Sequence, residues 1–214
     1  MQPPPTVIVL AAGLGSRFLG AQHKLLQPIR DDDGRPTPML TLTLRHAIES
    51  RMPVLVVTTA ELAPLAGEQV AARDIVLMPA AAPIQGRGMG DSIAAGVVSR
   101  ADASGWVVLP ADMPRVRPGT LSAVAQALQS HPIAYAQYKG RRGHPVGFDA
   151  ELYSELIALT GDEGARRIVA RYPAQAVDVD DPGVLIDIDT IEDLAERRDP
   201  TGDFQPSAFA PPLY

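Results

Sequence analysis

The chain contains no cysteine. Disulfide frameworks, thiolate metal sites, iron–sulfur clusters and cysteine nucleophiles are therefore excluded, and nothing calls for an oxidising compartment. Long apolar runs are also missing. The stretch nearest the N-terminus, Thr6–Ala12, is far too short to span a bilayer. No basic residue precedes it and a glycine loop follows, which argues against a signal peptide and predicts a cytoplasmic protein with no membrane partner. Positive charge is in deficit. A formal net charge of −6 argues against nucleic acid as a partner. Repeats and heptads are absent between two proline-rich ends, Met1–Pro5 and Asp199–Tyr214, which read as irregular arms. What remains is an ordinary globular composition, 46% apolar and 21% charged over 214 residues. That suffices for one core without staples. We expect a single unit over residues 1–214, with its core at about 6–198 and a proline-rich tail at 199–214.

The body alternates short β-branched runs with longer helical patterns. Strands are expected at Val7–Leu10, Val54–Thr58, Asp74–Met78, Trp106–Leu109 and Ile133–Tyr138. Helices are expected at Met39–Ser50, Glu61–Ala72, Asp91–Arg100 and Thr120–Gln129. Most of the strand runs are continuously apolar, the pattern of a parallel sheet covered on both faces. The order predicts an α/β sandwich with a mostly parallel sheet. After Lys139 the rhythm changes. Gly140–Gly143 reads as a tight turn, followed by helical patterns at Ala150–Leu159 and Glu163–Arg171. Short runs at Ala176–Val179 and Val184–Ile188 precede a closing helix from Ile191.

Ligands of open α/β sheets bind beyond the carboxyl ends of the strands, so the loops there carry the chemistry. The first runs Leu10-Ala11-Ala12-Gly13-Leu14-Gly15-Ser16-Arg17-Phe18, with Lys24 seven residues after Arg17. Glycines let backbone N–H groups approach an anion, and Ser16, Arg17 and Lys24 add donors. Phe18 stands where a dinucleotide fingerprint needs glycine, and the P-loop's Gly-Lys-Ser/Thr is absent. A glycine turn with a solvated arginine and lysine fits the same residues. The second loop, Leu109-Pro110-Ala111-Asp112-Met113-Pro114, sets a carboxylate at a strand end, where it suits a divalent cation or simply organises a turn. In the third, Thr190 and Asp193 fit a capping box, leaving Asp187 and Asp189 on one side of an extended run as further metal ligands. Gly88, Met89 and Ser92 precede or open a helix and suit a ribose or base, with Asp91 or Ser92 as its N-cap. In the late region, Gly143-His144-Pro145 is joined by Gly161-Asp162-Glu163-Gly164-Ala165-Arg166. There Asp162 reads as a helix N-cap and Arg166 as a phosphate contact one turn later.

Taken together, these segments resemble the MobA-like nucleotidyltransferases. The match rests on Leu10–Gly13 with Gly15, Ser16, Arg17 and Lys24, then Gly88-Met89 with Ser92, Asp112-Met113-Pro114, Gly143-His144-Pro145, Gly161–Arg166 and Asp187–Thr190. The branch most similar is molybdenum cofactor cytidylyltransferase. The resemblance implies a Rossmann-like three-layer α/β/α sandwich and a Mg²⁺-dependent transfer of CMP from CTP to molybdopterin, with release of pyrophosphate. It implies that Gly13–Arg17 hold the β- and γ-phosphates and that Lys24, with Arg17, neutralises charge on the reacting phosphoryl group. Asp112 would hold Mg²⁺ with Asp189 as second ligand and Asp187 beside it. Leu10, Ala11, Ala12, Gly88, Met89 and Ser92 would line the nucleotide, Ala12 favouring CTP over GTP. Gly143, His144, Pro145, Asp162, Gly164 and Arg166 would face the pterin, and a molybdoenzyme or its chaperone would receive the product.

Three features depart from that pattern. Ile191 stands where proline is usual, Asp91 is acidic where small or neutral residues are common, and Arg30–Arg35 inserts three consecutive aspartates that read as a solvated turn. Two alternatives remain: a sister transferase with GTP or another acceptor such as a sugar phosphate, and a non-catalytic cofactor delivery protein. Joint retention of Lys24, Asp112 and Asp189 counts against the second.

Overall fold

The computed structural model describes residues 3–13, 22–79 and 88–188. Gly15, Ser16, Arg17, Asp189, the closing helix from Ile191 and the tail lie outside the described residues. In chain order the strands are β1 Thr6–Ala11, β2 Pro28–Arg30, β3 Pro36–Pro38, β4 Val54–Thr58, β5 Ile75–Leu77, β6 Gly105–Pro110, β7 Ile133–Tyr138, β8 Arg141–Asp149 and β9 Ala174–Asp178. The helices are α1 Met39–Glu49, α2 Ala63–Gly67, α3 Met89–Val98, α4 Pro118–Ala127, α5 Tyr153–Leu156 and α6 Arg166–Arg171. Seven strands make one sheet in the order β5-β4-β1-β6-β8-β7-β9, and β2 pairs with β3 as a separate hairpin. Within the sheet only β8 runs against its neighbours.

The apolar runs explain the layering. Successive side chains of a strand point to opposite faces, so Val7, Val9, Val107 and Leu109 join one core and Ile8, Trp106, Val108 and Phe148 the other. The first core is covered by α1, α2 and α4, the second by α3, α5 and α6. The expected three-layer, mostly parallel α/β/α sandwich is therefore the observed one. The first four expected helices and all five early strands appear. The helix expected at Glu61–Ala72 is confined to α2, which opens at Ala63 with Pro64 in its first turn and ends at Gly67.

The acidic insertion is the tip of the β2–β3 hairpin. Asp31 accepts from Asp33 N, Arg35 N and Thr37 Oγ1 at 3.1, 2.8 and 3.0 Å. The backbone donor of Arg35 is the largest influence holding its carboxyl below the ordinary range.

The late region corrects the sequence reading most. The tight turn is Lys139-Gly140, both with positive φ (48° and 75°), as a two-residue hairpin requires. Residues 141–143 already belong to β8, a nine-residue strand that the polar Arg-Arg-Gly-His-Pro stretch concealed. Pairing passes from Tyr135↔Val146 to Gln137↔Arg142, so Gly143, His144 and Pro145 together oppose the single residue Ala136. They form a bulge in mid-strand, which also accommodates a proline that a regular ladder would exclude. Further on, Ala150–Leu159 is a 3-10 turn leading into α5, and Val184 lies in a 3-10 turn, Pro182–Leu185, not in a strand.

His144 sits in that bulge at 3% exposure. Burial, reinforced by the positive charge of Arg142, pushes its pKa down from 6.5 to about 4. The unfolded chain takes up this proton below the ordinary histidine value, whereas the folded chain resists it until the lowered one. The contribution to stability is thus complete above pH 6.5 and is lost as pH falls toward 4. Between about pH 7.5 and about pH 4.5 the wild type should lose roughly 2–3 kcal/mol more than His144→Gln in urea unfolding. Equal losses would show that the imidazole is not held neutral.

Candidate active site

The carboxyl edge of the sheet is organised around the loop after β6. Ala111 N donates to Leu10 O at 3.0 Å, carrying the β1–β6 pairing one step past the strand. From α1, Thr43 Oγ1 donates to Ala111 O at 2.8 Å and His46 Nδ1 to Val116 O at 3.1 Å. Asp181, 2% exposed, closes the far side. Its carboxylate accepts from Arg117 N at 2.8 Å, Thr120 Oγ1 at 2.6 Å and Gly183 N at 3.0 Å. It thereby caps the start of α4 from a distant segment, as a carboxylate at a helix N-terminus should.

Asp112 lies near the start of this pinned loop, directly after Ala111. Lys24 Nζ donates to its Oδ2 at 2.6 Å, with side chains 12% and 22% exposed. Ile188 N donates to the Asp112 carbonyl at 3.0 Å, bringing the 187–188 backbone to the same aspartate. Asp112, Lys24 and the Asp187 segment, far apart in sequence, therefore meet at one edge.

His23 is a residue that the sequence reading missed. Its Nδ1 accepts from Leu25 N at 3.2 Å, capping the 3-10 turn Lys24–Leu26. Its Nε2 lies 3.0 Å from Gly13 O. A carbonyl oxygen can only accept, so one neutral tautomer, protonated at Nε2, satisfies both contacts. His23 thus joins the glycine loop after β1 to the turn that aims Lys24. Only its position beside Lys24 could have marked it. The contacts by which Thr43, His46 and Asp181 hold this loop left no local signal, because those partners lie 61–70 residues away.

The other expected residues divide into groups. Ala11 is 1% exposed in one core, and Leu10 is half-buried and packs against the other. Gly88 is the N-cap of α3, so neither Asp91 nor Ser92 has that role. Asp91 is at the third helical position, and Ser92 is buried with its hydroxyl 3.5 Å from Gly88 O. Gly143 packs so closely on the turn leading to Asp187 that a Cβ there would lie 2.1 Å from Val184 O. Asp162 is exposed and does not start a helix; α6 begins at Arg166 behind Ala165, after Gly161 and Gly164 adopt positive φ. Arg166 is consequently an exposed first-turn residue, not one a turn inside the helix.

Residues 7–177 match the MobA-like NTP transferase domain family. The chain belongs to that family. It is a nucleotidyltransferase. It is similar to the purine catabolism protein PucB of Bacillus subtilis (strain 168), 32% identical over 210 residues that cover 90% of this chain and 96% of that protein. Among solved structures, Rv0371c from Mycobacterium tuberculosis H37Rv is 26% identical with a TM-score of 0.73, covering 92% of this chain and 97% of that one. The same protein in complex with manganese is 25% identical with a TM-score of 0.65, covering 84% and 89%. Molybdopterin-guanine dinucleotide biosynthesis protein A from Archaeoglobus fulgidus, 17% identical with a TM-score of 0.64 over 89% and 95%, shares the fold. Among the described residues no helix is long and apolar enough to cross a membrane.

Asp181→Ala leaves three donors without their acceptor and should destabilise the protein by about 2–4 kcal/mol in urea unfolding. A change within about 0.5 kcal/mol would show that water replaces the carboxylate at no cost.

Proposed function

We propose that this chain, acting as a single unit in the cytoplasm, transfers CMP from CTP to molybdopterin and releases pyrophosphate. An oxygen of the acceptor's terminal phosphate attacks the α-phosphorus of CTP. The bond from that phosphorus to the bridging oxygen breaks, and pyrophosphate leaves with the electron pair. The observation that carries this reading is the Lys24 ammonium held 2.6 Å from the Asp112 carboxylate at the sheet's carboxyl edge, with the 187–188 backbone bonded to the same aspartate. In-line phosphoryl displacement asks a protein for positioning and charge neutralisation more than for covalent chemistry.

Hard carboxylate oxygens suit Mg²⁺, which keeps water and phosphate oxygens among its ligands. Asp112 would hold it, with Asp189 and Asp187 from the adjoining segment. A divalent cation held there would supply positive charge against the phosphate oxygens. The manganese complex of Rv0371c supports a divalent cation in this family. Lys24, already aimed by His23, shifts its charge to the reacting phosphoryl group, and the Gly13–Arg17 loop takes the β- and γ-phosphates. Ala12, its methyl half-buried beside the loop, narrows the space next to the base and favours CTP.

The acceptor falls to the late region. His144, neutral at ordinary pH, offers a hydrogen bond and no charge, while Arg166 at the start of α6 offers a guanidinium for the acceptor's phosphate. The product would pass to a molybdoenzyme or its chaperone; the Bacillus relative is named a purine catabolism protein.

Pyrophosphate release with Mg²⁺, molybdopterin and a nucleotide panel tests the reading, CTP being the expected donor. Release with GTP alone, or with a sugar phosphate in place of molybdopterin, would move the chain to a sister activity. Asp112→Asn and Lys24→Ala should each lower kcat by a factor on the order of 10²–10³. A change confined to KM would assign them to ground-state binding. Ala12→Gly should reduce the preference for CTP without reversing it, since a single methyl contact is worth about 1–3 kcal/mol.

A further inference from the structure

Asp91 holds together two loops that are 70 residues apart. Its Oδ2 accepts from Gly88 N at 3.0 Å and from Gly161 N at 2.9 Å, while Gly90 N donates to Gly161 O at 2.9 Å. The contact between the loops is backbone on backbone. A Cβ on Gly88 would lie 1.9 Å from the Gly161 carbonyl carbon, so no other residue fits there without moving the second loop. Gly161 takes a positive φ of 68°, which turns its amide back toward Asp91. Gly164, also left-handed, seats against Met89, where a Cβ would be 3.2 Å from Sδ.

This carboxylate lies against amides at the N-terminal end of α3 and ties that end to the 161–164 turn through bonds that one residue accepts. A shift of either loop must break charge-assisted hydrogen bonds or move the other loop with it.

We propose that Asp91 is a positioning residue that couples the nucleotide side of the site to the acceptor side, so that binding of the nucleoside triphosphate sets the 161–166 loop before the acceptor arrives. This rests on the functional reading above together with the placements that the family resemblance implies, Gly88, Met89 and Ser92 toward the nucleotide and the 161–166 loop toward the acceptor. Two sites sharing one rigid element exert reciprocal effects on each other's ligands.

Hydrogen exchange with Mg²⁺ and either CTP or GTP, and no acceptor, tests it. In the wild type, nucleotide should slow exchange in both the 88–92 and 159–166 segments, the second by roughly fivefold or more. Asp91→Ala should keep protection at 88–92 and lose it at 159–166. Asp91→Asn, whose amide oxygen can accept from the same two N–H groups, should show protection in both segments. Protection confined to 88–92 in the wild type overturns the coupling, as does an Asp91→Ala protein that still protects 159–166. The wild-type arm decides even where Asp91→Ala folds poorly, and Asp91→Ser, too short to reach both amides, is the second variant. No response to either nucleotide in either segment overturns the functional reading itself and takes the coupling with it, an outcome distinct from protection of 88–92 alone.

Discussion

The loop from Ala111 to Arg117 must present one carboxylate at a fixed point just past the end of a buried strand, and most polar contacts of the sheet's carboxyl edge serve that constraint. Leu10 O anchors its first residue, Thr43 and His46 hold both of its ends from α1, and Asp181 closes it onto α4. Such contacts are individually modest, about 0.5–1.5 kcal/mol net, but each would leave a buried group unsatisfied if broken. Their combined effect is rigidity. Asp112 is held in place by its loop, and the Lys24 side chain comes to it.

The rigid edge follows from how the sheet is built. Six parallel strands with both faces covered leave little freedom in their carboxyl-end loops, and the antiparallel β8 enters from the opposite direction. A regular β8 would carry its ladder straight through the site. Instead, three residues oppose one at Gly143–Pro145, and the chain leaves the ladder where it meets the turn that leads to Asp187. A bulge of this kind directs a side chain and ends pairing next to a functional edge. It also explains why His144 is buried in a strand with its pKa pushed down, instead of lying on a surface turn.

The layer architecture and the first half of the chain were legible in sequence because they rest on local signals. Continuous β-branched runs imply a sheet covered on both faces, and the helical patterns between them imply the cover. The meeting of Lys24, Asp112 and the Asp187 segment was legible only as motifs in order; periodicity alone would not have paired residues 88 apart. What stayed hidden depends on tertiary contact. β8 was disguised by a glycine and a proline that a bulge tolerates, and the start of α6 was displaced from Asp162 to Arg166 by two left-handed glycines. Asp91 looked anomalous as a nucleotide contact because its partner, Gly161 N, lies in another loop. His23 was invisible for a similar reason, its Nε2 finding Gly13 O across the loop.

The Lys24–Asp112 pair also resolves an electrostatic difficulty at the site. Asp112 and the segment carrying Asp187 are joined through Ile188 N, and carboxylates gathered at one edge of a sheet repel one another unless a cation stands near them. In the structure the cation at Asp112 is Lys24, mostly buried with its partner and aimed by His23. On the proposed reading a metal-bound nucleoside triphosphate adds a cation at the carboxylates and several negative charges at the phosphates. The ammonium then has less to neutralise at Asp112 and more on the phosphoryl group. A single lysine can serve both states only if it reaches both positions from one anchor. The three-residue turn beginning at Lys24 provides that anchor, with its start fixed by His23 to the Gly13 loop expected to hold the phosphates. The anchor that lets Lys24 pair with Asp112 is thus, on the proposed reading, the same anchor that would aim it at the phosphoryl group.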